Sequence, residues 1–419
     1  MADREVDVFV QIGGEEVAAG RLWAHRGRGI ESQTFSYGRD YLAREAAYEL
    51  DPALPLVEGP QQTPEGRPIF AAFSDCSPDR WGRKLIKRGE RRRAEREGRT
   101  QRSFGEIELL LGVRDDLRQG ALRFRDPAGG EFLATEEDGV PAMLELPRLL
   151  GAAERADLDE DDDDDLATLL RVGSSLGGAR PKAHVVDAEG RISIAKFPSP
   201  SSDEWDVMRW EAVALQLARD AGIDAAASTL HTVDGRAVHV VERFDRAAAR
   251  RVGYVSAMTM LERADGEAGS YLEIADVIQR HSPRAAEDLR ELWRRIAFSI
   301  LISNLDDHLR NHGFLRTSSA GWTLSPAFDL NPDPRPGPRH LATAIDFDET
   351  AARLDLLLEV AAEFRLAPAA AGEILREVAE ATSRWRAAAS TLGLPNAELD
   401  RMAPAFEHPE ADAATAGLR

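Results

Sequence analysis

Apolar and polar positions alternate from the start of the chain. In Val6–Trp23, VDVFVQIGGEEVAAGRLW, the alternation runs on both sides of the Gly13–Gly14 pair and predicts two strands joined by a tight hairpin. A Pro-, Gly- and Gln-rich stretch over 51–68 reads as loop, Arg80–Arg102 as helix, and GALRF at Gly120–Phe124 as a short strand. A second hairpin is expected over Ala183–Phe197, turning at Glu189–Gly190, with Ile192, Ile194 and Lys196 on one face of its second strand. The helical pattern of Asp203–Gly222 follows, then a third hairpin, STLHTV and RAVHVVERF, around Asp234–Gly235. Leu289, Leu292, Ile296 and Ile300 recur at spacings of three and four, which puts them on one buried helix face. LDLLLEVAAEF and the Ala-, Leu-, Glu- and Arg-rich run to Leu394 are helical by period and composition, and a frayed tail is expected from Glu407.

At 419 residues the chain has enough material for two or three cores. Its single cysteine, Cys76, excludes an internal disulfide framework and suits a reducing, cytoplasmic setting. MADREVDVFV has no apolar core of a signal peptide, and no apolar run reaches the length of a membrane span. The net charge of -20 argues against broad, non-specific nucleic-acid binding. Arg80–Arg102 reverses that balance locally, either as a solvated helix with Glu/Arg pairs or as a face for an acidic partner. The acidic run Asp157–Asp165 reads as a solvated, mobile loop, because adjacent carboxylates repel.

Chemistry concentrates in Ser303–Phe314, SNLDDHLRNHGF. Asp306 and Asn311 lie five apart, and LSPAFDLNP brings Asp329 after a strand-like segment. Asp-x-x-x-x-Asn followed by an Asp is the polar skeleton of a phosphotransferase: one carboxylate takes the acceptor proton, while the amide and the second carboxylate hold magnesium. Two other readings stand beside it. Asp306 and Asp307 could cap a helix among ordinary polar loop residues, or His308 and His312 at i and i+4 could bind zinc, although the glutamate of the H-E-x-x-H motif is missing.

Val172–Lys182, VGSSLGGARPK, is a glycine-rich loop able to turn several backbone N–H groups toward a phosphate. Gly173 and Gly178 match the start of a P-loop, but Ala179 and Arg180 stand where its Lys and Ser/Thr belong. Lys196 either snorkels to solvent or holds nucleotide phosphates, and Glu211 either pairs with it or is a surface glutamate. A glycine-rich hairpin, a Lys strand, a Glu helix, two strands, helices, Asp-x-x-x-x-Asn and a final Asp follow the part order of a protein kinase.

GSSLGGARPK, VERFDR, NLDDHLRN and LSPAFDL, with SPDRWGRKL at 77–85 and GALRF, resemble the signatures of the HipA-type serine/threonine kinases, the toxins of bacterial type II toxin–antitoxin modules. The resemblance implies an α+β, two-lobed protein-kinase-like fold: an N-terminal α/β subdomain over 1–150, a nucleotide-binding part of the N-lobe over 151–256, and a helical C-lobe over 257–419. It implies Asp306 as catalytic base, with His308 beside it in the catalytic loop, and Asn311 and Asp329 as magnesium ligands. Gly177, Gly178, Ala179, Arg180 and Lys182 would form the phosphate loop, Lys196 would hold ATP phosphates, and the backbone of Glu242 and Phe244 would meet adenine. Ser175, or its neighbour Ser174, would be the autophosphorylated serine whose phosphate expels the loop.

The family also implies a helix-turn-helix antitoxin as partner, DNA reached only through that partner, no membrane, and a protein substrate, in some members an aminoacyl-tRNA synthetase. Asp307 stands where a small residue is common, which leaves two neighbouring carboxylates as candidates for the base. A small-molecule phosphotransferase with the same core and a catalytically silent partner of a repressor are the competing classes.

Overall fold

The computed structural model describes residues 4–27, 30–135, 140–172, 178–247 and 250–416. The chain divides into two compact units, one made of residues 1–201, 245–255 and 315–319, the other of 202–244, 256–314 and 320–419.

The first unit is built on a five-stranded antiparallel sheet. Its strands are β1 (Arg4–Ile12), β2 (Glu15–Gly27), β3 (Ile30–Tyr37), β4 (Gln61–Gln62) and β5 (Leu122–Arg125), in the order β4-β3-β2-β1-β5. The β1–β2 hairpin turns on Gly13 and Gly14, whose φ values of 61° and 92° suit the tight turn that the sequence predicts. The alternation of β1 buries Val6, Val8 and Val10 on one face, while Phe9 on the other is covered by the Phe132 ring, edge-on at 5.4 Å. On this core Phe73 packs edge-on between Phe35 and Phe124, at centroid distances of 6.2 and 5.9 Å. The expected hairpin of β6 (Lys182–Val186) and β7 (Ile192–Lys196) lies in the same unit as this sheet.

The acidic run is not a mobile loop. Asp162 caps the helix Asp163–Arg171, and Asp165 returns a bond to the Asp162 N–H. The aspartates thus sit at a helix N-terminus, the end that favours negative charge. They also face the arginines of the helix Arg80–Arg96. Arg88 pairs with Asp159 and Asp161, Arg92 lies 3.1 Å from Asp161, and Arg96 lies 3.1 Å from Asp163. Asp161 has no exposed side-chain surface. Mutual repulsion is overcome because the aspartates find cations or N–H groups, Asp165 pairing with Arg155 and Asp162 with the Asp165 N–H.

In the second unit β8 (Ser228–Val233) and β9 (Arg236–Glu242) form the third expected hairpin, turning at Asp234 (φ 48°) and Gly235 (φ 79°). The helix Ala285–Leu301 is the core: Leu289, Leu292, Ile296 and Ile300 are all fully buried. Each contributes roughly 1.5–3 kcal/mol by burial. The helices Tyr271–His281 and Pro368–Ser383 pack against it. Trp385 stacks on Phe406 at 4.8 Å, with Trp210 of the helix Val207–Asp220 6.0 Å from Trp385. The tail departs from the frayed end expected. Pro409–Ala416 is helical, His408 is buried, and Glu410 accepts a 2.8 Å bond from the Leu354 N–H. Within the helix Ala414 is buried, a small residue whose contact composition alone does not reveal.

Candidate active site

The second unit carries the catalytic-loop sequence where its core helix ends. Past Leu301 the chain turns through Ser303 in the left-handed region (φ 52°), and the Asn304 N–H bonds back to the Ser299 carbonyl at 2.8 Å. Asp307 then plunges inward. Its carboxylate accepts from the Tyr271 hydroxyl at 2.6 Å and the Ser299 hydroxyl at 3.3 Å, and lies 3.2 Å from the His312 ring. Its carbonyl accepts from Thr343 at 2.6 Å. Burial alone would raise the Asp307 carboxyl, but the His312 imidazole and the Tyr271 hydroxyl hold it below the ordinary carboxylate value. Burial and the neighbouring Asp307 charge drive the Tyr271 phenol well above its own, so Tyr271 stays a donor.

Asp306, one residue earlier, is exposed. The Asn311 amide donates to the Asp306 carbonyl at 3.1 Å, and a single 3-10 turn, Leu309–Asn311, closes the loop between them. His308 is exposed and its N–H bonds to the Asp306 carbonyl at 2.9 Å. With His308 outside and His312 inside against Asp307, the two imidazoles occupy different surroundings. Among the described residues no group of three or more His, Cys, Asp or Glu side chains is arranged to hold a metal ion.

The Asp329 segment is tied to the same loop. Asn304 accepts from the Asn331 N–H at 3.0 Å, and the Asp333 N–H reaches the Ser303 carbonyl at 3.0 Å. Asp329 is half-buried in the left-handed region (φ 57°), a conformation Asp tolerates better than most residues. Upstream, Ala327 bonds to the strand entering β8 (Ala226 N–H to Ala327 O, 2.8 Å), and the buried Arg295 donates to the carbonyls of Asp224 and Ser325. The Glu242 N–H is bonded to Ala227 O at 2.8 Å, and the Phe244 ring lies 5.4 Å from Phe328, the neighbour of Asp329. Glu211 is buried rather than on the surface, with its carboxylate 3.5 Å from His239.

In the first unit Gly178 is the first described residue of the glycine loop; Gly177, Ser174 and Ser175 lie outside the described residues. Gly178 and Ala179 are exposed and Arg180 half-buried, whereas Lys182 is buried with its ammonium 3.0 Å from Asp79. Lys196 is half-buried, directly across the hairpin from Lys182. VERFDR also has a structural end here. Asp245 accepts from the Gly120 N–H at 2.7 Å, and Arg246 donates to the Gly120 carbonyl, which ties that motif to GALRF.

A family model described as the HipA-like C-terminal domain matches residues 174–385, just over half of the chain and the whole span from glycine loop to Asp329. The chain belongs to the HipA-like family. Over nearly its whole length this HipA-like chain shares the α+β, kinase-like fold of a chain in the Shewanella oneidensis toxin–antitoxin complex of HipA, HipB and operator DNA. The TM-score is 0.66 at 16% identity, covering 98% of this chain and 96% of that one. It is also similar to a Haemophilus influenzae protein named "Putative kinase" (26% identity; 38% of this chain, 52% of that protein). "Toxin YjjJ" of Escherichia coli is 30% identical over 38% of each chain. These matches span about half or less of the length of the curated relatives. Among the described residues, no helix is long and apolar enough to cross a membrane.

The sequence reading assigned no role to Tyr271, Ser299 and Thr343, which hold Asp307, or to Asn304, which joins the two loops, and it considered His312 only as a zinc ligand. Asn304, Asp245 and Asp79 all lie inside motifs that carried the family resemblance, and that was the available signal.

Proposed function

We propose that this chain is an ATP- and magnesium-dependent protein serine/threonine kinase acting as the toxin of a toxin–antitoxin module. The observation that carries the reading is the division of labour between Asp306 and Asp307. The buried Asp307 is engaged by Tyr271, Ser299 and His312, so Asp306 is the carboxylate left at the surface to meet an acceptor hydroxyl. In the reaction the acceptor oxygen bonds to the γ-phosphorus, the bond from that phosphorus to the ADP oxygen breaks, and Asp306 takes the hydroxyl proton.

Asn311 and Asp329 offer the hard oxygen donors magnesium prefers, few enough for phosphates and water to complete the shell. When bound, the ion would neutralise charge on the transferring phosphates. Asn304, through Asn331, keeps the Asp329 segment against the catalytic loop. Lys196, with Gly177, Gly178, Ala179, Arg180 and Lys182, would take the ATP phosphates, Glu211 would orient Lys196, and the Glu242 and Phe244 backbone would take adenine. By these roles 1–150 would be the N-terminal subdomain, 151–256 the nucleotide-binding part and 257–419 the helical lobe with the catalytic loop.

Ser175, with Ser174 as alternative, is proposed as the self-modified residue. The Escherichia coli relative named a toxin supports the toxin role, and the Shewanella complex supports a HipB-like helix-turn-helix partner that would bring DNA indirectly. The acceptor would be a protein hydroxyl, with an aminoacyl-tRNA synthetase the candidate offered by the family resemblance, and the reaction would be cytoplasmic.

The test is labelled-phosphate incorporation from Mg-ATP by wild type, Asp306→Asn and Asp329→Asn, followed by peptide mapping. Label on Ser174 or Ser175 in wild type and none in either variant is expected. ATP binding without incorporation into any protein, by chain first verified as unphosphorylated, would replace this reading with a small-molecule phosphotransferase or a silent partner.

A further inference from the structure

Ser77–Leu85, SPDRWGRKL, precedes every residue assigned above, yet its Asp79 touches the glycine loop's exit. One carboxylate oxygen of Asp79 caps the helix Arg80–Arg96 through the Gly82 N–H at 2.7 Å. The other lies 3.0 Å from the Lys182 ammonium. The carboxylate and ammonium side chains are only 1% and 5% exposed. Two residues on, the Trp81 N–H bonds to the Gly178 carbonyl at 3.4 Å. Gly178 has φ 98°, and a Cβ there would fall 2.7 Å from the Lys182 nitrogen. Helix cap, glycine turn and lysine therefore meet at one point.

Lys182 is paired in register with Lys196 across the β6–β7 hairpin. Residues directly opposite on antiparallel strands share a face, and like charges there oppose pairing. A buried ammonium also needs a hydrogen-bonded counter-charge. Asp79 meets both needs for Lys182.

We propose that Asp79 is a positioning residue for the nucleotide, acting through Lys182. As counter-ion it fixes Lys182 under the Gly178 turn, so that two lysines on one hairpin face and the loop's backbone are held ready for a polyphosphate. The proposal rests on the kinase reading.

Asp79→Asn is the informative variant, because Asn caps helices about as well as Asp while removing the charge. With the full-length chain, we expect Asp79→Asn to raise KM for ATP and Kd for the fluorescent analogue TNP-ATP roughly tenfold, with a smaller change in kcat. Asp79→Glu should recover part of the loss. In a Lys182→Gln background Asp79→Asn should add little, since a residue acting through Lys182 has nothing left to act on. Unchanged constants in Asp79→Asn, tighter ATP binding, or an equal loss with and without Lys182 would each overturn the role of Asp79. Wild type that binds no TNP-ATP and transfers no phosphate would instead bring down the kinase reading on which it rests.

Discussion

Asp307 and His312 face each other at 3.2 Å inside the second unit, and that contact converts a run of two aspartates into one structural and one exposed carboxylate. The environment, not the residue type, separates their roles.

Asp306→Asn should therefore abolish phosphate transfer, by on the order of 10²–10⁴-fold, with little change in stability. Asp307→Asn should cost about 3 kcal/mol in urea denaturation, because it removes the charge His312 and Tyr271 are built around. Equal destabilisation by both changes would contradict this assignment.

Asp329 lies in the left-handed region, where glycine carries no steric cost. Asp329→Gly should keep or slightly raise thermal stability while removing activity. Asp329→Asn, which also tolerates this backbone, should fold as wild type does and regain no transfer as magnesium is raised. A magnesium titration of wild type and both variants checks this.

Asp161 and Asp164 belong to one acidic run but not to one environment. Asp161 has no exposed side-chain surface and sits between Arg88 and Arg92, whereas Asp164 is 79% exposed beside Arg148. Asp161→Ala should cost about 3 kcal/mol and Asp164→Ala less than about 0.5 kcal/mol, measured by chemical denaturation.

His408 is buried, and burial pushes its imidazole down from 6.5 to about 4. The neutral ring suits its place, with one nitrogen 3.3 Å from the Leu301 carbonyl and the other accepting from the Ala411 N–H. A depressed pKa means the unfolded chain binds the proton first. This contribution to stability is complete above about pH 6.5 and is lost as pH falls toward 4, amounting to on the order of 2 kcal/mol. His408→Asn should flatten that part of the stability profile, as read from denaturation midpoints between pH 4.5 and 7.5.

The hairpins were legible because alternation and a paired turn are local signals, as at Gly13–Gly14 and Asp234–Gly235. The core helix was legible for the same reason: Leu289, Leu292, Ile296 and Ile300 declare their face by spacing. The acidic run was misread because repulsion among aspartates is also a local argument, while Arg88 stands 73 residues away from Asp161. The inward turn of Asp307 depends on Tyr271 and Thr343, each 36 residues distant, so only the folded chain could separate it from Asp306. The tail from Glu407 was misjudged because its small residues advertise no face, and its order depends on contacts made elsewhere.

The first unit draws on three passes of the chain, with residues 245–255 and 315–319 completing what 1–201 begin. During synthesis the amino-terminal two hundred residues must therefore wait for sequence made well after them. The interval to residue 319 is roughly 6–24 s at elongation rates of about 5–20 residues per second. For the first part of that interval, until Asp245 has been made, the Gly120 N–H lacks its acceptor, and the unit stays incomplete until residues 315–319 follow.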